Sequence, residues 1–399
     1  MPFPRRAAAA LALTLAVPSL ASAQTAGCGG DFGNFLAGVQ QEALGSGISE
    51  DAVRRSMARI GSAPDAKVLS RDRSQGVFSQ TWGEFSGRMA NASRLKQGKA
   101  NLQKYASTFT RIEAETGVPG PAIAAFWGLE TDYGAVLGDF NTLSALATLA
   151  HDCRRPELFR PHLIAAMRVV DAGYLAPEQM KGAWAGELGQ TQILPEEYLK
   201  FGTDADNNGT VDLLSDTPDV LATTAKFMQS LGWRAGEPWL EAVTVPENFP
   251  WERAALVNKE PRSEFAALGV TKADGSALES DALPAALVLP MGRGGPAFLA
   301  FPNFDVYLAW NNSLVYSLTA GYFSTRLAGA PPVDMGSPQP GLSVDEMKAL
   351  QSKLAGRGYE VGKVDGILGG NTRNAVRQEQ IRLGMPADGW PTADLLAAI

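Results

Sequence analysis

Apolar positions along this chain recur mostly at helical spacing, and the clearest run lies between 119 and 134. There Ile123, Phe126, Trp127 and Glu130 fall at i, i+3, i+4 and i+7, one stripe of an α-helix. Pro121 suits the first turn, where a missing N–H costs nothing, and Gly134 suits a left-handed stop. The last member of the stripe is a carboxylic acid in a place where leucine would be expected. An apolar wall disfavours its charged form, and the partial negative charge of a helix C-terminus acts in the same sense, so Glu130 should titrate high. A carboxyl kept protonated near neutral pH is what a general acid requires. On the stripe alone, a helix-end glutamate that reaches solvent explains the pattern as well.

Residues 31–60 predict two short amphipathic helices, the first apolar at Phe32, Phe35, Leu36 and Val39, the second behind Ser49 as N-cap. A long helix is expected over about 93–116, and others over about 142–150, 156–172, 177–184 and 218–231, the last behind Thr217-Pro218. From 240 to 304 the pattern shortens. The runs 287–289 and 297–299, separated by a Gly- and Pro-rich turn, predict a small hairpin. Helical periodicity returns over 313–327, so the main domain, 28–328, is expected to be mainly α with a small β element. Residues 329–341 lack any apolar period and are dense in Pro and Gly, which predicts a linker. The remaining 342–399 predict a small separate α-helical unit, in which Asp365-Gly366 with Thr372 is echoed by Asp388-Gly389 with Thr392.

The 399 residues, 45% hydrophobic and 19% charged, are those of a globular protein, and a net charge of −7 argues against nucleic acid as a partner. Arg5 and Arg6, the apolar run from Ala7 to Leu20 and Ala21-Ser22-Ala23 predict a signal peptide over 1–23, cut after Ala23. That run is too short to span a membrane, so an exported, periplasmic protein is expected. Thr25-Ala26-Gly27-Cys28 is a poor lipoprotein signal, lacking the usual leucine, and no lipid anchor is expected. Cys28 and Cys153 are the two cysteines; an oxidising compartment favours a disulfide between them, with two buried thiols as the alternative. Only two histidines are present, which speaks against a zinc site or a Ser-His-Asp triad.

Four stretches then line up in order: Glu130-Thr131-Asp132-Tyr133-Gly134, Ala185-Gly186-Glu187-Leu188-Gly189-Gln190-Thr191-Gln192, the acidic run from Asp204 to Asp212, and Trp310-Asn311-Asn312-Ser313. Over roughly residues 30–328 the chain resembles the lytic murein transglycosylases of the membrane-bound B type. The resemblance implies a lysozyme-like α fold that cleaves the β-1,4 bond between N-acetylmuramic acid and N-acetylglucosamine in peptidoglycan glycan strands, leaving 1,6-anhydro ends. It implies that Glu130 first protonates the glycosidic oxygen and then takes the proton of the muramoyl C6 hydroxyl. Because the nucleophile belongs to the substrate, one carboxyl suffices where ordinary glycosidases use a pair. Asp132 projects to another helix face and reads as a capping or surface residue.

The same resemblance gives substrate contact to Gln192, which could instead only tie its loop, and to Asn311, which could instead be a helix cap. Arg154 and Arg155 could bind lactyl or stem-peptide carboxylates, or be solvated helix-start residues. Phe85, Phe227 and Trp310 stand, with Leu158, where the family often has tyrosine, and Ala183 where it often has serine. Stacking on sugar faces survives at the aromatic positions, but hydroxyl hydrogen bonds do not.

Asp204, Asp206, Asn208, Gly209, Thr210 and Asp212 match positions of an EF-hand loop, although Ser215 stands where the bidentate Glu would be. No cofactor is required by the chemistry; a structural calcium on these residues is weighed against an Asx-rich surface turn. The tail resembles the common peptidoglycan-binding domain at Leu350-Gln351, Gly358-Tyr359, Val364-Asp365-Gly366, Thr372, Ala375-Val376 and Gln380. Its seven acidic and seven basic residues would leave binding to shape and hydrogen bonds. A monomer is expected, and contact with wall-synthesis proteins is left open. The competing readings are a lysozyme-like hydrolase and a non-catalytic wall-binding or scaffold protein.

Overall fold

In the computed structural model, which describes residues 28–73 and 80–399, the expected signal peptide falls outside the described part. The first elements are α1 (Phe32–Gly45), α2 (Glu50–Met57), α3 (Ala66–Arg73), α4 (Trp82–Met89), α5 (Ala92–Lys104), α6 (Ala106–Thr116) and α7 (Gly120–Thr131). Asp31, Ser49, Thr81 and Asn91 accept the third backbone N–H of α1, α2, α4 and α5, which is worth about 1 kcal/mol at each start. The single helix expected over 93–116 is two, broken at Tyr105 (φ −105°, ψ 25°). The break lets Leu102 of α5 and Phe109 of α6 close together on Gly120, the first residue of α7, where an added Cβ would lie 3.0–3.1 Å from both.

The chain continues through β1 (Phe140–Asn141), α8 (Thr142–His151), α9 (Pro156–Asp171), β2 (Lys181–Gly182), α10 (Pro195–Phe201) and α11 (Thr217–Ser230). The helix expected over 177–184 does not form. A turn leads into β2, which pairs antiparallel with β1 through Phe140 and Gly182. Gly182 is needed there because the Glu187 carbonyl passes where its Cβ would be, 1.8 Å away. Cys28 and Cys153 are joined by a disulfide, which fastens the start of the described chain beside the end of α8.

Next come β3 (Leu240–Thr244), β4 (Glu260–Pro261), α12 (Arg262–Ala267), β5 (Thr271–Lys272), β6 (Pro284–Val288), β7 (Ala297–Ala300), α13 (Phe304–Trp310) and α14 (Leu314–Leu327). The expected hairpin is β6–β7, in register at Leu287 and Leu299, but it is the middle of a five-stranded antiparallel sheet ordered β4-β6-β7-β3-β5. β4 and β5 have two residues each, too few to show alternation. The sheet has its own small core around Phe249, Phe265, Leu287 and Phe301. In the main core, α5, α6, α11 and α14 pack round α7. α7 is buried at every residue from Ala122 to Leu129, so the predicted stripe is one side of a helix covered all round.

The C-terminal unit holds α15 (Val344–Gly356), α16 (Gly370–Arg382) and α17 (Ala393–Ala398) round Leu350, Leu354, Val376 and Leu395. Its sequence echo is structural: the buried amide oxygens of Gln351 and Gln380 accept the N–H groups of Gly366 and Gly389, each at 2.9 Å. The unit is docked on the sheet side of the main lobe. Arg373 donates to the carbonyls of Leu289 and Pro290, Arg377 to that of Ala254, and the Arg293 N–H donates to Asp388 at 2.9 Å. Gly292, at φ 73°, lies so close under Trp390 that a Cβ would come within 2.5 Å of that side chain. The segment 329–341 is laid along the lobe, with the Ser337 N–H on the Gly294 carbonyl at 2.7 Å.

Candidate active site

The C-terminal end of α7 is held by an unusual backbone. Asp132 (φ 50°), Tyr133 (φ 61°) and Gly134 (φ 85°) are all left-handed, so the stop begins two residues before the glycine expected to make it. Left-handed non-glycine residues cost of order 1–3 kcal/mol each and persist only where neighbours over-determine them. Here Arg94 pairs with Asp132 at 2.6 Å, and the Tyr133 hydroxyl donates to the Arg94 carbonyl at 2.9 Å. The Tyr133 ring lies over Gly128, where a Cβ would come within 2.7 Å of it. From the other side, Gln190 accepts from the Trp127 indole at 2.7 Å and its carbonyl accepts from the Thr131 hydroxyl at 2.6 Å. The glycine-punctuated loop 185–192 is thereby fastened to the residues that flank Glu130.

The Glu130 carboxyl accepts hydrogen bonds from the Tyr316 hydroxyl on α14 and, at 3.3 Å, from the Trp310 indole at the end of α13. Trp310 is wedged between Phe126 (4.2 Å between ring centres) and Phe227 (5.1 Å), and Phe227 in turn stacks on Phe201 (5.2 Å). Burial pushes the Glu130 pKa up to about 7, against the pull of the two hydrogen bonds and helped by the charge of Glu187. Glu187 is itself pushed up by burial, while backbone N–H groups and the Arg155 charge pull it down. Its carboxyl accepts the Ala185 N–H at 3.1 Å. The site thus holds a carboxyl that is half protonated near neutral pH, with two neutral donors ready to stabilise its anion.

Of the residues read from sequence, Trp310 and Phe227 join Glu130 directly or through ring contacts. Gln192, itself left-handed at φ 51°, spends both amide N–H bonds on the carbonyls of Leu137 and Gly189, and its oxygen accepts the Ala183 N–H. These bonds tie the loop to the 137 segment. Asn311 accepts the Ser313 N–H at 3.0 Å in a turn before α14, whose N-cap is Ser313. Phe85 is only 7% exposed on α4, with the Arg88 guanidinium over its ring, and has little face left for a sugar. Arg154 and Arg155 both pair with the buried Asp72, and both stay partly exposed.

In the acidic loop, the structure brings together Asp204, Asp206 and Asp219, whose oxygens lie within 4.8 Å of one another. Asp212 instead turns back to the N–H groups of Leu214 and Ser215, and Asn208 to that of Thr210. Asp219 escaped notice because it lies beyond the loop pattern, in the first turn of α11. Tyr316, Glu187 and Gln190 were also missed. Glu187 and Gln190 stand inside a quoted motif, and a carboxylate in so apolar and glycine-rich a loop was the available signal.

A carboxyl that titrates high at the end of a buried helix, beside aromatic rings in a helical lobe, is the arrangement of a glycan-cleaving enzyme of the acid-catalysed kind. Residues 31–325 match the transglycosylase SLT domain, and the chain belongs to that family; residues 343–399 match a peptidoglycan binding domain. SltB3 from Pseudomonas aeruginosa, solved with NAG-anhNAM-pentapeptide, is 36% identical, with a TM-score of 0.86 over 93% of this chain and 99% of its own. Membrane-bound lytic murein transglycosylase B of Escherichia coli (strain K12) is 26% identical over 72% of this chain and 77% of its own. An Escherichia coli lytic transglycosylase solved with calcium shares the fold, with a TM-score of 0.63 and 23% identity over 76% of this chain and 96% of its own. The protein is a lytic transglycosylase, a peptidoglycan-cleaving lyase that needs no cofactor and carries a peptidoglycan-binding domain. No helix among the described residues is long and apolar enough to cross a membrane.

Proposed function

We propose that Glu130 performs both proton transfers of the reaction, as acid and then as base. The protonated carboxyl gives its proton to the glycosidic oxygen as the bond to C1 of the muramoyl residue breaks. The resulting carboxylate is held by the Tyr316 hydroxyl and the Trp310 indole while it takes the proton from the C6 hydroxyl. O6 then bonds to C1, the 1,6-anhydro ring closes, the carboxyl is restored and no water is consumed. The observation that carries this reading is the seat of Glu130 at the end of α7, where burial pushes its pKa up and two neutral donors, Tyr316 and Trp310, hold its carboxyl, which suits a group that must give and recover one proton in each cycle. The mass of the products from purified peptidoglycan tests it. Anhydro-ended muropeptides from the wild type and none from Glu130→Gln are expected; reducing ends would mean that water is the nucleophile.

Around this step, Trp310 and Phe227 supply the apolar wall, and the 183–192 loop carries the backbone against which the muramoyl residue sits. The oxygens of Asp204, Asp206 and Asp219 are hard donors suited to a structural calcium that would cross-link the loop to α11. Added calcium should then raise the melting midpoint relative to chelator, and Asp206→Ala should remove the difference; identical midpoints in the wild type reject the metal. The basic and apolar leader over 1–23 supports export to the periplasm, and the enzyme works there as a monomer.

A further inference from the structure

Besides Arg154 and Arg155, which pair with Asp72, the junction of the two units holds a second pair of arginines. A cavity of about 290 Å³ lies between the 254–257 segment, the end of β6, Leu314 and the first half of α16. Its floor is apolar, from Ala254, Leu256, Leu287 and Leu289. Its other wall carries Arg373 and Arg377, one helical turn apart. Arg373 spends its terminal nitrogens on the carbonyls of Leu289 and Pro290, and Arg377 one of its own on Ala254. The Nε–H of each is buried without an acceptor.

No carboxylate bonds directly to these two cations, although the charge of Asp388 acts on both. Asp388 is the acid in the cavity wall, and its oxygens accept from the Arg293 N–H, the Gln380 amide and the Trp390 N–H. Among the described residues neither arginine forms an ion pair. Burial, and then the charge of Arg377, push Arg373 down to about 10, with the charge of Asp388 pulling the other way. Gly370 and Asn371, in the first turn of α16, line the same cavity. That turn has no side-chain cap and no acidic residue, so its partial positive charge is unanswered.

We infer that this cleft binds the free carboxylate end of a short peptide with small apolar side chains, the chemistry of the D-alanine ends of peptidoglycan stems. The carboxylate lies between Arg377 and the first turn of α16, and the alanine methyl groups lie on the Ala254, Leu256 and Leu287 floor. Pockets for small ligands begin at about 300 Å³, which matches a dipeptide end better than a sugar with its whole stem. The inference rests on the peptidoglycan reading for its ligand but is independent of the Glu130 step. It would give the docked unit a part in choosing which stretch of wall is cut.

The test titrates diacetyl-L-lysyl-D-alanyl-D-alanine, its C-terminal amide and inorganic phosphate into the full chain, followed by calorimetry. Saturable binding of the acid is expected, weakened at least about tenfold in the amide and in Asn371→Asp, which puts a like charge at the exposed mouth and also suits a helix first turn. Arg377→Gln should do the same. Equal binding of acid and amide, displacement of the peptide by phosphate at equal concentration, or unchanged affinity in Asn371→Asp would each overturn the inference. The tripeptide carries no glycan, so these outcomes are separate from the product masses that test Glu130.

Discussion

Two glutamates in this molecule are each hydrogen-bonded by a tyrosine, and they end in opposite states. Glu130 meets Tyr316 and the Trp310 indole, and its pKa stands at about 7. Glu379, fully buried in the C-terminal unit, meets Tyr359 at 2.9 Å and also Arg357 and Arg382. The Arg382 hydrogen bonds, followed by Tyr359 and the two charges, hold it down at about 2 in spite of burial. A tyrosine donor is common to both, so it does not decide the state. The cation does: with one, a buried carboxylate is a permanently charged strut, and without one it is an acid that can be used.

Replacing Glu130 should therefore abolish the chemistry yet relieve the fold. Glu130→Gln removes both the acid and the base, and a loss of at least about 10³-fold in turnover on purified sacculi is expected. The folded pKa is above the unfolded value near 4.5, so the stability it contributes is full below about 4.5 and is lost as pH rises through about 7. At pH 8 the Gln variant should be more stable than the wild type by about 1–3 kcal/mol in denaturant melts, with no gain at pH 4. For the wild type, kcat/KM should fall as pH rises through about 7, as the required proton is lost.

Glu379→Gln should behave in the reverse way. Removing one partner of a buried ion pair is destabilising, and since Arg357 and Arg382 are 37% and 51% exposed, about 1–3 kcal/mol is expected in place of the full buried-pair cost. Its folded pKa is below the unfolded value, so its contribution is present above about pH 4.5 and is lost as pH falls towards about 2. The wild type should lose stability through that window and the variant should not. Hydrogen exchange localised to α15–α17 gives the measurement, and opening spread evenly over both units would contradict it.

How far this contrast could be read from the chain depends on the range of the interactions. Glu130 was legible because its cause is local: four positions of one helix place a carboxyl among apolar residues. The hairpin was legible for the same reason, and so was the start of α2 behind its Ser49 cap, while α11 starts one residue earlier than read, behind Asp216. Tyr316, 186 residues away, was not, nor were Arg357 and Arg382, which read as ordinary surface charges. The pairing of Arg154 and Arg155 with Asp72 lies on no periodicity and could not be read from the chain. The false helix over 177–184 had a good apolar period, overridden by a strand pairing that only Gly182 permits. The break at Tyr105 likewise answers to α7, not to propensity.

The tyrosines give the sharpest form of the contrast. In Tyr316→Phe the donor that favours the Glu130 anion is gone while burial remains, so the carboxyl should be held protonated to higher pH. A hydrogen bond to a charged group is worth about 1.5 kcal/mol, or about one pKa unit, so the alkaline limb of kcat/KM should move up by about that much. The rate should fall about tenfold at the plateau, because the carboxylate that exists between the two proton transfers has lost half of its support. In Tyr359→Phe the two arginines still hold Glu379, and the loss of stability should stay below about 1 kcal/mol, with the acid window moved up only slightly. If the Tyr316→Phe limb stays in place or moves down, the hydroxyl is not what stabilises the anion. Trp310, braced by Phe126 and Phe227, would then carry that role alone.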